Sequence, residues 1–159
     1  MEKTNVMRIL DQKKIKYNSY SYADTDAKNG TEVAKAINQD PKKVFKTLVT
    51  VAASRKNYVF VIPVEKELNL KKATRVVGEK SIEMLKSKEL LPLTGYIHGG
   101  CSPIGMKKFF PTTIDQSADQ FDTIIFSAGK IGYQVELSLE DLKKVINFTL
   151  ADICDDKID

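Results

Sequence analysis

The sequence predicts an α/β fold: one domain over residues 1–159, a mixed and largely antiparallel sheet or barrel with helices packed against it. Three observations predict it. Runs rich in β-branched and aromatic residues recur in pairs across short polar turns, as antiparallel hairpins do. Segments with apolar residues three and four apart, opened by Thr, Asn or Ser, are interspersed among those runs, as capped helices are. No repeat, low-complexity stretch or linker interrupts the 159 residues, a length that buries a real core in one domain.

In chain order, Thr4 is placed to cap a first helix with Val6, Met7, Ile9 and Leu10 on one stripe. Residues 17–22 then read as a strand with tyrosines at 17, 20 and 22, and 24–30 as a polar loop. Thr31 is expected to cap a short helix carrying Val33, Ala34 and Ile37, which Asp40-Pro41 ends. Residues 44–53 and 58–64 form a hairpin across Ser54-Arg55-Lys56-Asn57, apolar on both faces and so covered on both. Asn69 caps a helix through Val77 that Gly78 stops, and Ser81 opens another with Ile82, Met84 and Leu85. A glycine-rich loop follows, then a strand over 112–115. Residues 123–127 and 131–137 form a second hairpin across Ala128-Gly129-Lys130. Ser138-Leu139-Glu140-Asp141 resembles a capping box before a last helix with Leu142, Val145 and Ile146, and an acidic tail expected to fray follows from Ala151.

Composition excludes several classes of function. Hydrophobic residues make up 42% and charged residues 29%, the balance of an ordinary globular protein. The net charge of +4 permits nucleic acid as a partner without pointing to it. Cys101 and Cys154 are too few for a disulfide scaffold or a zinc site, and the single histidine, His98, excludes a multi-histidine centre. No metal and no cofactor are expected. The N-terminus lacks the apolar segment of a signal peptide, and no apolar run approaches the roughly 18–20 residues of a membrane span. A cytoplasmic location with reduced thiols is the expectation, with no membrane partner.

Two features carry chemistry. Lys46 interrupts the apolar strand Val44-Phe45-Lys46-Thr47-Leu48-Val49. A lysine there either guards a sheet edge against pairing or serves a site, because burying its charge without a partner is costly. Thr47 points to the opposite face if the strand is regular. The segment from Thr94 to Gly105 holds four glycines. There Gly99 and Gly100 can offer bare amides to a carbonyl oxygen or an oxyanion, while Pro103 stiffens the turn. The same segment also reads as a plain tight connection, and it lacks the spacing of a phosphate-binding loop. Cys101 as a nucleophile would need a base from a distant segment, and His98 is only three residues away. Cys154 is expected to be inert. Tyr20 and Tyr22 share a strand face and suit a pocket wall or a core, and Ser127 and Gly129 mark the second hairpin turn.

Together, Val44-Phe45-Lys46-Thr47-Leu48, Leu70-Lys71-Lys72-Ala73, Gly95-Tyr96-x-x-Gly99-Gly100-x-Ser102-Pro103-x-Gly105 and Phe126-Ser127-Ala128-Gly129-Lys130 resemble the YbaK/EbsC family. These are free-standing aminoacyl-tRNA deacylases related to the editing domain inserted in bacterial prolyl-tRNA synthetases. The resemblance covers essentially the whole chain. It implies the editing-domain fold and removal of misattached cysteine from proline tRNA, with cysteine tRNA as a further substrate and alanine on proline tRNA as the sister specificity. A non-catalytic module that binds aminoacyl-tRNA or the synthetase is the other class of function left open. The partners implied are the acceptor end of an aminoacyl-tRNA and prolyl-tRNA synthetase. The resemblance gives Lys46, Gly99 and Gly100 the catalytic roles. It gives pocket roles to Tyr22, Tyr20, Thr47, Ser102, Pro103, Ser127 and Gly129. It further implies that the substrate's own thiol attacks the ester. Where some relatives carry an aromatic residue before the second helix, this chain has Asn29.

Overall fold

In the computed structural model of the chain, which describes residues 2–156, the Thr4 hydroxyl accepts from the Met7 amide and opens α1 (Asn5–Gln12). There follow β1 (Asn18–Ser21), α2 (Gly30–Ala36), β2 (Phe45–Ala52), β3 (Asn57–Pro63), α3 (Leu70–Val77), β4 (Ile82–Met84) and α4 (Ser87–Thr94). The chain then runs through β5 (Thr112–Asp115), a 3-10 turn over Gln116–Gln120, β6 (Ile124–Ser127), β7 (Tyr133–Leu137), α5 (Leu139–Leu142) and β8 (Thr149–Ala151).

Two sheets result. The smaller has the order β1-β7-β6 and is antiparallel throughout. The larger has the order β4-β2-β3-β5-β8; its first two pairings are antiparallel, while β3–β5 and β5–β8 are parallel. A parallel bridge between Val44 and Ile125 joins the sheets. The architecture is therefore the expected mixed, mostly antiparallel one, with parallel pairings that the hairpin pattern does not disclose.

Strand alternation sorts the core into layers. Phe45, Val49, Val59, Val61 and Ile114 face Phe126, Val135 and Leu137 between the sheets, and Val6, Met7 and Leu10 of α1 close that layer. On the other face of β3, Phe60 and Ile62 pack with Ala73 of α3 and Ile153. Tyr22, Val44, Val64 and Ile125 form a third cluster with Val33, Ala34 and Ile37 from α2 and the turn that follows it.

Several expected elements differ. The segment after Ser81 is a strand, not a helix: Ile82–Met84 pairs with Thr50–Ala52 at the sheet edge, and the Ser81 carbonyl accepts from the Ala53 amide. Open edge hydrogen bonds outweigh the helical spacing of three apolar residues, and the helix begins later, at Ser87. Asn29, not Thr31, caps α2. Its side chain accepts from the Glu32 amide at 2.9 Å, and the Glu32 carboxylate accepts from the Asn29 amide at 3.2 Å, a reciprocal capping box. The second hairpin's return strand starts at Tyr133 rather than 131. The tail is not frayed through residue 151: β8 adds to the sheet beside β5, and Leu68 bridges to Cys154.

Candidate functional site

Lys46 lies on β2 opposite Ile62. By alternation it shares a face with Val44, in the α2 cluster, and Leu48, packed on the α3 cluster, so it stands at the seam between the two. It is partly exposed, and among the described residues its ammonium holds no carboxylate. The isolated parallel bridge between Val44 and Ile125 brings the start of β2 beside β6, the strand that Ser127 ends, and Lys46 follows two residues along β2. Thr47 belongs to the opposite face with Phe45 and Val49. Its hydroxyl is buried without a partner, away from Lys46. That face belongs to the core cluster that also takes Tyr96, Cys101 and Ile104 of the glycine segment.

Ser127 begins the turn that brings the glycine segment in. Its hydroxyl accepts from the Gly129 amide at 3.1 Å. Gly129 has φ +90°, and a Cβ there would lie 3.0 Å from both Tyr96 and Val6, so only glycine fits without a shift. Gly100 lies against the same turn: a Cβ on it would stand 3.2 Å from the Ile131 nitrogen. The Gly100 amide is already spent, donating to the Ile97 carbonyl at 3.0 Å. Among the described residues, the amides of Gly99, Cys101 and Ser102 have no protein acceptor. The free donors therefore flank Gly100 rather than include it. Ser102 is fully buried and accepts from the Ile104 amide, and Pro103 is buried beside it, so both shape the loop from within.

The same face of the small sheet carries a polar group that the sequence reading missed. Tyr20 faces Gln134 across β1–β7, and Glu136 lies opposite both Asn18 and Ile125. The Glu136 carboxylate accepts from Tyr20 at 2.5 Å, Asn18 at 3.2 Å, Lys43 at 2.8 Å and Thr123 at 2.6 Å. Burial alone would raise its pKa, but these donors, led by Lys43, hold it at about 2. Burial and Glu136 push the Tyr20 phenol up to about 12. Gln134 is buried with an unpartnered carbonyl oxygen beside this group. Polar residues alternating with Val135 and Leu137, on a strand paired with the Tyr20 strand, were the available signal. Tyr22 continues the face but is buried in the α2 cluster, its amide donating to Gly132.

Neither cysteine is poised to react. Burial pushes the Cys101 thiol up to about 12, and burial, with Asp115 beside it, does the same for Cys154. His98 is exposed on the glycine turn. No cluster of metal-ligating side chains exists among the described residues. Two clefts lie elsewhere, one of about 930 Å³ between β4 and α4 and one of about 620 Å³ beside α1, and neither is lined by a sequence-predicted site residue.

Comparison with known proteins places the chain in a family. Residues 24–145 match the aminoacyl-tRNA editing domain. The chain belongs to that family. It is 45% identical over 153 residues to EbsC of Enterococcus faecalis, named as a candidate Cys-tRNA(Pro)/Cys-tRNA(Cys) deacylase, covering 96% of this chain and 93% of EbsC. It is also 30% identical over 111 residues to a proline–tRNA ligase of Shouchella clausii, covering 70% of this chain and 19% of the ligase. A solved structure described as a candidate trans-editing enzyme for prolyl-tRNA synthetase superposes with a TM-score of 0.80 at 23% identity, over 96% of this chain and 98% of that one. It shares the editing-domain fold, and the implied family and fold are both borne out. No helix among the described residues is long and apolar enough to cross a membrane.

Proposed function

We propose that this editing-domain protein is a trans-acting deacylase that clears cysteine from proline tRNA, and from cysteine tRNA as a further substrate. What supports this reading most is Lys46 on β2, two residues past the bridge to the β6 strand, together with a glycine segment that packs on the turn after Ser127 and keeps its Gly99, Cys101 and Ser102 amides unspent, in a chain 45% identical to EbsC. Lys46 holds the aminoacyl ester and the terminal adenosine. The turn amides receive the carbonyl oxygen as negative charge develops on it, the kind of preorganised donor that accelerates acyl transfer. The nucleophile is the substrate's thiol. Its sulfur bonds to the ester carbon, the carbon–oxygen bond breaks, and the departing tRNA hydroxyl takes up the proton, leaving a cyclic thioester that water opens. Protonated, buried Cys101 has no part in this. Such a reaction is intramolecular, so orientation supplies much of the rate, with effective molarities of about 10⁵–10⁸ M for well-placed groups. Prolyl-tRNA synthetase is the proposed partner, because a pocket shaped for proline cannot strongly reject a residue of cysteine's size.

The test is the lifetime of the ester on proline tRNA charged with cysteine, alanine or 2-aminobutyrate. Rapid loss of cysteine alone supports the reading. Loss of alanine and 2-aminobutyrate at similar rates overturns substrate-thiol attack and assigns the sister specificity. Three unchanged lifetimes overturn the deacylase reading in favour of a binding module.

A further inference from the structure

The excess positive charge is not spread evenly over the molecule. Residues 86–111 hold Lys86, Lys88, Lys107 and Lys108 against the single acid Glu89, in a chain whose net charge is +4. Five lysines elsewhere, Lys3, Lys43, Lys72, Lys130 and Lys144, each hold a carboxylate. Among the described residues, the four in this segment hold none. Large apolar side chains are also exposed here, Leu91 at 50%, Ile97 at 52% and Phe109 at 57%, with Ile131 at 50% against Gly99. Phe110, one residue on, packs on the central core, so Phe109 is held outward by its neighbour's anchorage.

These groups form one rigid unit with the glycine turn. The Lys107 amide donates to the Thr94 carbonyl at 3.0 Å, which fastens Lys107–Phe109 beside the C-terminal end of α4. The Tyr96 hydroxyl donates to the Ile104 carbonyl, and Gly105 lies against that ring. The loop from 95 to 105 is thereby closed on itself between α4 and Lys107.

Resting on the deacylase reading, we propose that Lys107, Lys108 and Phe109 form the element that grips the single-stranded 3′ end of the RNA and leads it to the glycine turn. Exposed ammonium groups that hold no carboxylate, Lys107 giving only a long bond to the Pro92 carbonyl at 3.5 Å, suit an unpaired strand when set beside an outward aromatic ring: the lysines neutralise successive phosphates while a base stacks on Phe109. The buried Lys43–Glu136 pair cannot serve in this way, because its charge is already matched.

The experiment titrates an uncharged RNA hairpin bearing a short unpaired 3′ strand, with wild type, Lys107→Glu/Lys108→Glu and Phe109→Ala, over a series of salt concentrations. The double reversal is expected to weaken binding at least tenfold. It should also lower the log–log salt slope by roughly 0.7 for each lysine lost. Phe109→Ala is expected to weaken binding about tenfold, the usual range for one lost base stack, and to leave the slope unchanged. A blunt hairpin without the 3′ strand should be insensitive to Phe109→Ala. Lys13→Glu/Lys14→Glu, the same charge change at the far end of α1, controls for net charge. Equal loss in both double variants, or wild-type binding by all, overturns the proposal. Because the RNA carries no ester, a wild type that binds it through these residues and deacylates nothing would refute the deacylase reading alone. Deacylation with binding indifferent to the three residues would refute this proposal alone.

Discussion

Lys46 is legible in the sequence because a charge inside an apolar strand is a local anomaly, whereas Glu136 reads as an ordinary outward residue until β1 and β6 are placed beside it. Its four donors come from residues 18, 20, 43 and 123, and no local pattern brings them together. For Lys46→Ala we expect deacylation to fall by roughly 10²-fold or more, the cost of removing one preorganised charge-stabilising group, with the melting temperature nearly unchanged; single-turnover ester cleavage measures it. Glu136 instead governs stability. Its folded pKa of about 2 lies below the ordinary 4.5 of the unfolded chain, so its contribution is complete above pH 4.5 and is lost as pH falls from there through 2. That contribution is of the order of 3 kcal/mol by linkage. Urea midpoints measured across that window should fall steeply for wild type and more gently for Glu136→Gln.

Among the elements, the helices with side-chain caps and the two hairpins announce themselves, because caps and strand alternation act over a few residues. The misread segment 81–85 shows the limit: its apolar spacing is helical, yet an open edge of β2 recruits it as β4. Asn29 is instructive for the same reason. It stands where some relatives carry an aromatic, and it serves α2 through a reciprocal cap with Glu32. Asn29→Ala should cost about 1 kcal/mol, the typical value of an N-cap, readable as a shift in denaturant midpoint. Gly129→Ala should cost more, about 2 kcal/mol or above, since it adds a left-handed strain to contacts 3.0 Å from Tyr96 and Val6. Gly100→Ala has no such strain. Its Cβ presses on the Ile131 backbone and should move the turn, lowering deacylation more than stability.

At the scale of the whole molecule, the two sheets share one interior, with Phe45, Val49 and Val61 facing Phe126, Val135 and Leu137. Truncating either side should therefore unfold both. Phe126→Ala and Phe45→Ala, each removing a buried ring from that interior, should cost about 3–5 kcal/mol. Each should leave a single transition that coincides by circular dichroism and tyrosine fluorescence. The parallel partners of β5 were the least readable part of the fold, because strands so far apart along the chain leave no local mark of their pairing. That arrangement also sets a schedule for the nascent chain. The five-stranded sheet has β8 as its outer strand, supplied by residues 149–151, while its centre is made of residues 45–63. During synthesis the β2–β3 hairpin emerges long before β5 and β8 can cover its flank. The apolar edge of β3 thus stays open on the ribosome until residues 112–115 have been made, an interval in which a holding chaperone has an obvious client.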